Sequence, residues 1–139
     1  MGRSGRGQQS GFDMSLKGKR IYVVEDNPQN RIVYQISLLL GGAELKFDRL
    51  GIEAAQKLQT DETWDLIILD LSLSFGISGY NIFQRIRKIP HHQDTPIIAI
   101  SSADPSIAIP KTKSLGFSGF IAKPIDGNLL PHQIKRVLH

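Results

Sequence analysis

The stretch Trp64-Asp65-Leu66-Ile67-Ile68-Leu69-Asp70 decides the fold. Leu66 to Leu69 are all large and aliphatic, with no polar alternation. A run of that length and kind describes a strand buried on both faces, as in a parallel sheet. It ends on a carboxylate. A second apolar run, Ile21-Tyr22-Val23-Val24, also ends on acids, Glu25-Asp26. Two buried strands that finish on acids bring three carboxylates to one edge of a sheet. Such a group repels itself unless a proton or a hard cation sits in it. The expectation is a divalent metal at Glu25, Asp26 and Asp70, with the chemistry beside it.

Working outward, apolar runs at 97–100 and 120–122 read as two more short buried strands, and a weaker one lies near 43–48. Segments with helical spacing separate them. Ile32, Ile36, Leu39 and Leu40 share one face of a helix that Gly41-Gly42 stops. Ile52, Ala55 and Leu58 mark a second. Ile82, Phe83, Ile86 and Ile89 mark a third, halted by Pro90, and Leu130, Ile134, Val137 and Leu138 mark the last. Strand alternating with helix throughout predicts an α/β fold: a doubly wound five-stranded parallel sheet with helices on both faces. Sites in such folds lie beyond the carboxyl ends of the strands, at a switch point in strand order, and that is where the acids fall.

Composition narrows the class. With 139 residues, 40% hydrophobic and 22% charged, the chain is expected to form one soluble domain with a sizeable core. No apolar run approaches the roughly 20 residues of a membrane span, and the N-terminus lacks the apolar stretch of a signal peptide, so a cytoplasmic location is expected. The absence of cysteine excludes disulfides and thiolate metal sites. A net charge of +4 without a basic cluster interleaved with aromatics argues against direct nucleic-acid binding. Residues 1–13, rich in Gly, Ser, Arg and Gln, read as disordered. The division expected is therefore 1–15 as a leader or expression remnant, with Met14 as a natural start, and 16–139 as the domain.

Other strand ends carry polar groups too. The fourth strand leads into Ser101-Ser102 and the fifth into Lys123-Pro124. Three carboxylates, a hydroxyl and an ammonium at separate strand ends suit phosphoryl transfer. One carboxylate accepts the group, while metal and lysine neutralise its oxygens. The serine offers a hydrogen bond available only after phosphorylation, which makes the set a switch.

These motifs resemble those of the response-regulator receiver domain, over about residues 19–138. Val23-Val24-Glu25-Asp26-Asn27-Pro28 is similar to the family's acidic pair after strand one, and Leu69-Asp70 to its phosphoacceptor. Pro96-Ile97-Ile98-Ala99-Ile100-Ser101-Ser102 is similar to the strand-four segment with its switch hydroxyl, and Gly119-Phe120-Ile121-Ala122-Lys123-Pro124 to the aromatic switch and Lys-Pro pair. The resemblance implies a flavodoxin-like sheet in the order 2-1-3-4-5. Asp70 would take a phosphoryl group from a phosphohistidine of a sensor kinase or phosphotransfer protein. Glu25, Asp26, Asp70 and the backbone carbonyl of Ser72 would hold Mg²⁺. Lys123 would pair with Asp70 and later with the phosphate, Ser101 would move toward it, and Phe120 would turn into the vacated space. Pro124 would shape the turn that aims Lys123, in family members through a cis peptide bond. The module would be no enzyme beyond its own phosphorylation and slow autodephosphorylation. Its output would be a downstream protein or a second copy, engaged through the face of helix four, strand five and helix five.

Two stretches depart from the family pattern. After the phosphoacceptor the chain reads Leu73-Ser74-Phe75-Gly76-Ile77-Ser78-Gly79-Tyr80, with Ser74 in place of a proline and one extra residue. The metal-binding carbonyl precedes the change, so the departure bears on loop rigidity and dephosphorylation rate. In the fourth helix, Pro105 suits a start after Asp104, but Pro110 would sit inside, where proline costs about 3 kcal/mol. The expectation is a short helix beginning near Pro110, with Asp104–Ile109 irregular.

Rival readings fare worse. A flavin or dinucleotide site needs a glycine- or hydroxyl-rich loop after strand one, where Glu25 and Asp26 stand instead. An aspartyl phosphatase would carry a second acid at Ser72. A pseudo-receiver, acting as a phosphorylation-independent interaction module, is the remaining alternative.

Overall fold

The computed structural model describes residues 15–60, 62–72 and 78–138. The leader at 1–13 and the altered part of the loop at 73–77 lie outside the described residues. Five strands form one sheet: β1 Arg20–Val24, β2 Glu44–Asp48, β3 Leu66–Asp70, β4 Ile97–Ser101 and β5 Gly119–Ala122. All pairings are parallel and the order is β2-β1-β3-β4-β5. The helices are α1 Pro28–Leu40, α2 Gly51–Lys57, α3 Gly79–Arg87, α4 Pro105–Leu115 and α5 Leu130–Lys135, with a 3₁₀ turn at Pro90–His92. No helix among the described residues is long and apolar enough to cross a membrane.

Alternation along the strands builds two cores, because successive side chains leave opposite faces of the sheet. Tyr22, Val24, Ile67, Leu69, Ile97 and Ala99 pack against α2, α3 and Phe117. Ile21, Val23, Leu66, Ile68, Ile98 and Ile100 pack against α1 and α5 through Tyr34, Leu38, Leu130 and Ile134. β3 and β4 are buried along their whole length, as their unbroken aliphatic runs require. Trp64 lies just before β3 rather than within it, and is buried edge-on against Tyr22.

Ile32, Ile36, Leu39 and Leu40 do share one face of α1, and it is the exposed one; each of the four is at least 51% exposed. Tyr34 and Leu38 are the residues that dock. The spacing fits a helix in either phase. Phase is set where the helix ends, at Gly41, whose missing Cβ would stand 3.2 Å from Leu16 Cδ1.

One sequence expectation is corrected: α4 does not begin near Pro110 but runs unbroken from Pro105 to Leu115 with Pro110 inside it. Asp104 caps the start through the Ser106 N–H at 3.0 Å, and Pro105 occupies the first turn, where its missing N–H costs nothing. Gly116, in the left-handed region at φ 103°, closes the other end. Both ends thus specify the full helix. The carbonyl that Pro110 deprives of a donor belongs to Ser106, and both residues are exposed, so water can serve it.

Candidate phosphoacceptor site

Register carries the functional residues to one edge. Val24 aligns with Leu69, Asp70 with Ile100, and Ser101 with Ala122, so the segments that leave β1, β3, β4 and β5 meet at the carboxyl end of the sheet. The order 2-1-3 makes the β1/β3 boundary the switch point, and the acids flank it.

Glu25, Asp26 and Asp70 each offer a carboxylate oxygen, all within 4.8 Å of one another. Glu25 and Asp70 are buried, at 0% and 1% exposure. The Glu25 N–H donates to the Asp48 carbonyl at 2.9 Å, which ties the start of the loop to β2. Asp48 is itself held by the Tyr22 hydroxyl and by Lys57 Nζ at 2.7 Å. Asn27 caps α1, its side chain accepting from the Gln29 N–H at 2.8 Å and the Asn30 N–H at 3.2 Å. That leaves Glu25 and Asp26 available for the site. Glu25 Oε2 accepts from the Asn27 N–H at 3.2 Å, whereas buried Oε1 has no donor among the described residues.

Burial, and then the neighbouring Asp70 carboxylate, push the Glu25 pKa up to about 7; the Asn27 N–H and Lys123 oppose this more weakly. A buried carboxylate oxygen that faces another carboxylate wants a proton or a cation between them. The donor set is all hard oxygen, which suits Mg²⁺ or Ca²⁺ rather than a soft metal. The orphaned Glu25 Oε1 therefore fits a bound divalent ion.

Asp70 is gripped from two sides. Lys123 Nζ donates to Oδ2 at 2.8 Å, and the Ser72 N–H donates to Oδ1 at 2.8 Å. The Lys123-Pro124 peptide is cis, and the Lys123 N–H donates to the Ser101 carbonyl at 2.9 Å, which fixes the base of the lysine beside β4. Ser101 is buried, and its Oγ accepts from the Ala103 N–H at 3.0 Å. Phe120 is half-buried against the α2–α3 core, and Pro124 is exposed. Gly79 opens α3 directly behind Asp70: a Cβ there would lie 2.6 Å from Leu71 Cα and 2.9 Å from the Asp70 carbonyl oxygen. Only glycine permits that approach.

One residue beside the site has no sequence signal. Tyr34 is fully buried, and its hydroxyl has no hydrogen-bond partner among the described residues. Burial first, then the charges of Glu25 and Asp70, hold its pKa above the ordinary tyrosine value. Its position near the acids follows from the phase of α1, which the apolar stripe disguises.

The chain matches the model of the response regulator receiver domain over residues 21–135. It is 29% identical over 118 residues to the transcriptional regulatory protein AfsQ1 of Streptomyces coelicolor, covering 85% of this chain and 50% of that protein. It is 26% identical over 124 residues to the signal transduction histidine-protein kinase BarA of Escherichia coli K12, covering 89% of this chain and 13% of the kinase. The chain thus spans about half the length of the regulators it matches, and a small part of the kinase. Among solved structures it is similar to the receiver domain of sensor histidine kinase PA1611 from Pseudomonas aeruginosa PAO1, which has a magnesium ion coordinated in its active-site cleft (TM-score 0.76, 26% identity, 87% of this chain and 98% of that one). The chemotaxis response regulator CheY4 of Vibrio cholerae superposes with a TM-score of 0.78 at 25% identity, covering 86% and 98%.

Proposed function

This chain belongs to the response regulator receiver domain family, and on that premise we propose that residues 16–139 form a Mg²⁺-dependent phosphoacceptor whose nucleophile is Asp70. The observation that carries the reading is the pairing of Asp70 Oδ2 with Lys123 Nζ at 2.8 Å, inside a cluster of three carboxylates within 4.8 Å. Glu25, Asp26, Asp70 and the Ser72 carbonyl are the ligands we assign to Mg²⁺, which when bound neutralises the oxygens of an incoming phosphoryl group.

A carboxylate oxygen of Asp70 attacks phosphorus of a donor phosphohistidine. The new O–P bond forms as the N–P bond breaks, and the electron pair leaves on the donor's imidazole. Lys123 then shifts its charge from the carboxylate to the phosphoryl group. The Ser101 hydroxyl, held at rest against the Ala103 N–H, turns to donate to a phosphate oxygen, and Phe120 moves into the space released. Hydrolysis of the acyl phosphate by water resets Asp70. The chain turns over nothing but its own phosphorylation, so it is a signalling acceptor rather than an enzyme.

The donor is a sensor histidine kinase or phosphotransfer protein of the cytoplasm. The output partner, a downstream protein or a second copy, reads the α4–β5–α5 face. Exposed Ile107, Ile109 and Leu115 on α4, the first of them 68% exposed, support that assignment.

The test is incubation with Mg²⁺ and acetyl phosphate followed by intact-mass measurement. The wild-type chain gains one phosphoryl mass and Asp70→Asn gains none. A wild-type chain that gains nothing is a pseudo-receiver.

A further inference from the structure

Between α2 and the C-terminal end of α3 lies a cavity of about 740 Å³. That volume lies inside the roughly 300–1,000 Å³ range of small-molecule sites. Its apolar lining comes from Ile52, Ala55, Ile89 and Pro90, and Arg85, Lys88 and His91 stand along the α3 side. Among the described residues no carboxylate lines it. The ion pairs among the described residues engage Arg20, Lys46, Lys57 and Lys123, and leave both Arg85 and Lys88 without an acidic partner. The end of α3 favours cations through its dipole, which accounts for two basic residues there. It does not account for their standing over an apolar recess, where Ala55 keeps the opposite wall low and Ile52 remains 39% exposed.

We infer that this cleft binds an amphipathic organic anion. An apolar body would cover Ile52, Ala55 and Ile89, and a carboxylate, sulfonate or phosphate head would lie between Arg85 and Lys88. Charge complementarity selects the head: a cation would meet only like charge. The cleft's volume of about 740 Å³ suits a compact molecule, whereas a protein helix would need a groove several turns long. The site shares no residue with the cluster of Glu25, Asp26 and Asp70.

The experiment uses two fluorescent naphthalenes of similar shape, the anion 8-anilinonaphthalene-1-sulfonate and the uncharged N-phenyl-1-naphthylamine. The wild-type chain is expected to bind the sulfonate saturably at one site. The doubly reversed variant R85E/K88E should bind it at least tenfold more weakly, while its affinity for the uncharged dye stays unchanged. Arg85 and Lys88 are exposed, so this variant still folds, with a melting temperature lowered only by the reversed interaction of its two charges with the α3 dipole, and the uncharged dye reports that the cleft is intact. A second variant, Gln56→Trp, fills the cleft from the α2 wall without altering charge, and should weaken both dyes. Asp70→Asn should bind the sulfonate as the wild type does, which separates this inference from the phosphoacceptor reading. Equal sulfonate affinity in R85E/K88E and wild type overturns it. So does loss of binding in Ile36→Glu, which would place the dye on the exposed α1 stripe, and so does a site that accepts only an acidic helical peptide and no dye.

Discussion

Replacing Glu25 by glutamine should make the metal-free protein more stable, although it removes a residue of the site. Glu25 titrates near 7 in the folded chain, against an ordinary value of 4.5. Each unit of difference corresponds to about 1.4 kcal/mol, so ionised Glu25 opposes folding by about 3 kcal/mol if it bears the whole shift. The sign follows from proton binding. Between pH 4.5 and 7 the folded state holds the proton that the unfolded state has released. The stabilising contribution is therefore complete below 4.5 and lost as pH rises through 7. Glutamine keeps the shape and an acceptor for the Asn27 N–H but never ionises. Urea denaturation in EDTA should thus find Glu25→Gln more stable than wild type by about 1–3 kcal/mol at pH 8, with the gap closing toward pH 4.5. Adding Mg²⁺ at pH 8 should reverse the order, because the ion stabilises the chain that holds the full carboxylate set. A wild-type protein that is the more stable of the two at pH 8 in EDTA refutes the reasoning: Glu25 would then not be a repelled, buried charge.

Lys123→Met leaves buried Asp70 without its counter-ion. Metal-free stability should fall by about 3 kcal/mol, and Mg²⁺ should restore more of it than in wild type, as read by melting temperature with and without the ion. Pro110→Ala should stabilise the chain by about 1–3 kcal/mol in urea denaturation, since alanine supplies the missing N–H to Ser106 in a helix already formed; a neutral or destabilising result would mean that Pro110 itself packs usefully. Gly79→Ala forces a Cβ to within 2.6 Å of the Leu71 backbone. Either α3 or the acceptor strand must move, and acetyl phosphate labelling of Asp70 should slow at least tenfold; labelling at the wild-type rate would show that the loop yields without disturbing Asp70.

Much of this protein was decided by local pattern. The unbroken runs at Ile21–Val24, Leu66–Leu69 and Ile97–Ile100 had to be doubly buried strands, and parallel strands must end together, so acids at their ends had to converge. The capping of α1 by Asn27 follows the same local logic, because a side-chain acceptor before Pro28 answers a need of any helix start. Two features were not. The apolar stripe Ile32, Ile36, Leu39 and Leu40 announces a helix but misreports which side is buried, because periodicity carries no phase until a neighbour such as Leu16 takes one face. Pro110 misled for a related reason: its cost depends on whether the orphaned Ser106 carbonyl reaches water, and exposure is a tertiary property. The sequence alone thus determined the sheet, its order of elements and the residues that gather at its edge. Only the tertiary structure decided the face that α1 presents, the continuity of α4, the buried Tyr34 beside the acids and the cationic cleft below α3, because each depends on contacts between segments far apart in the chain.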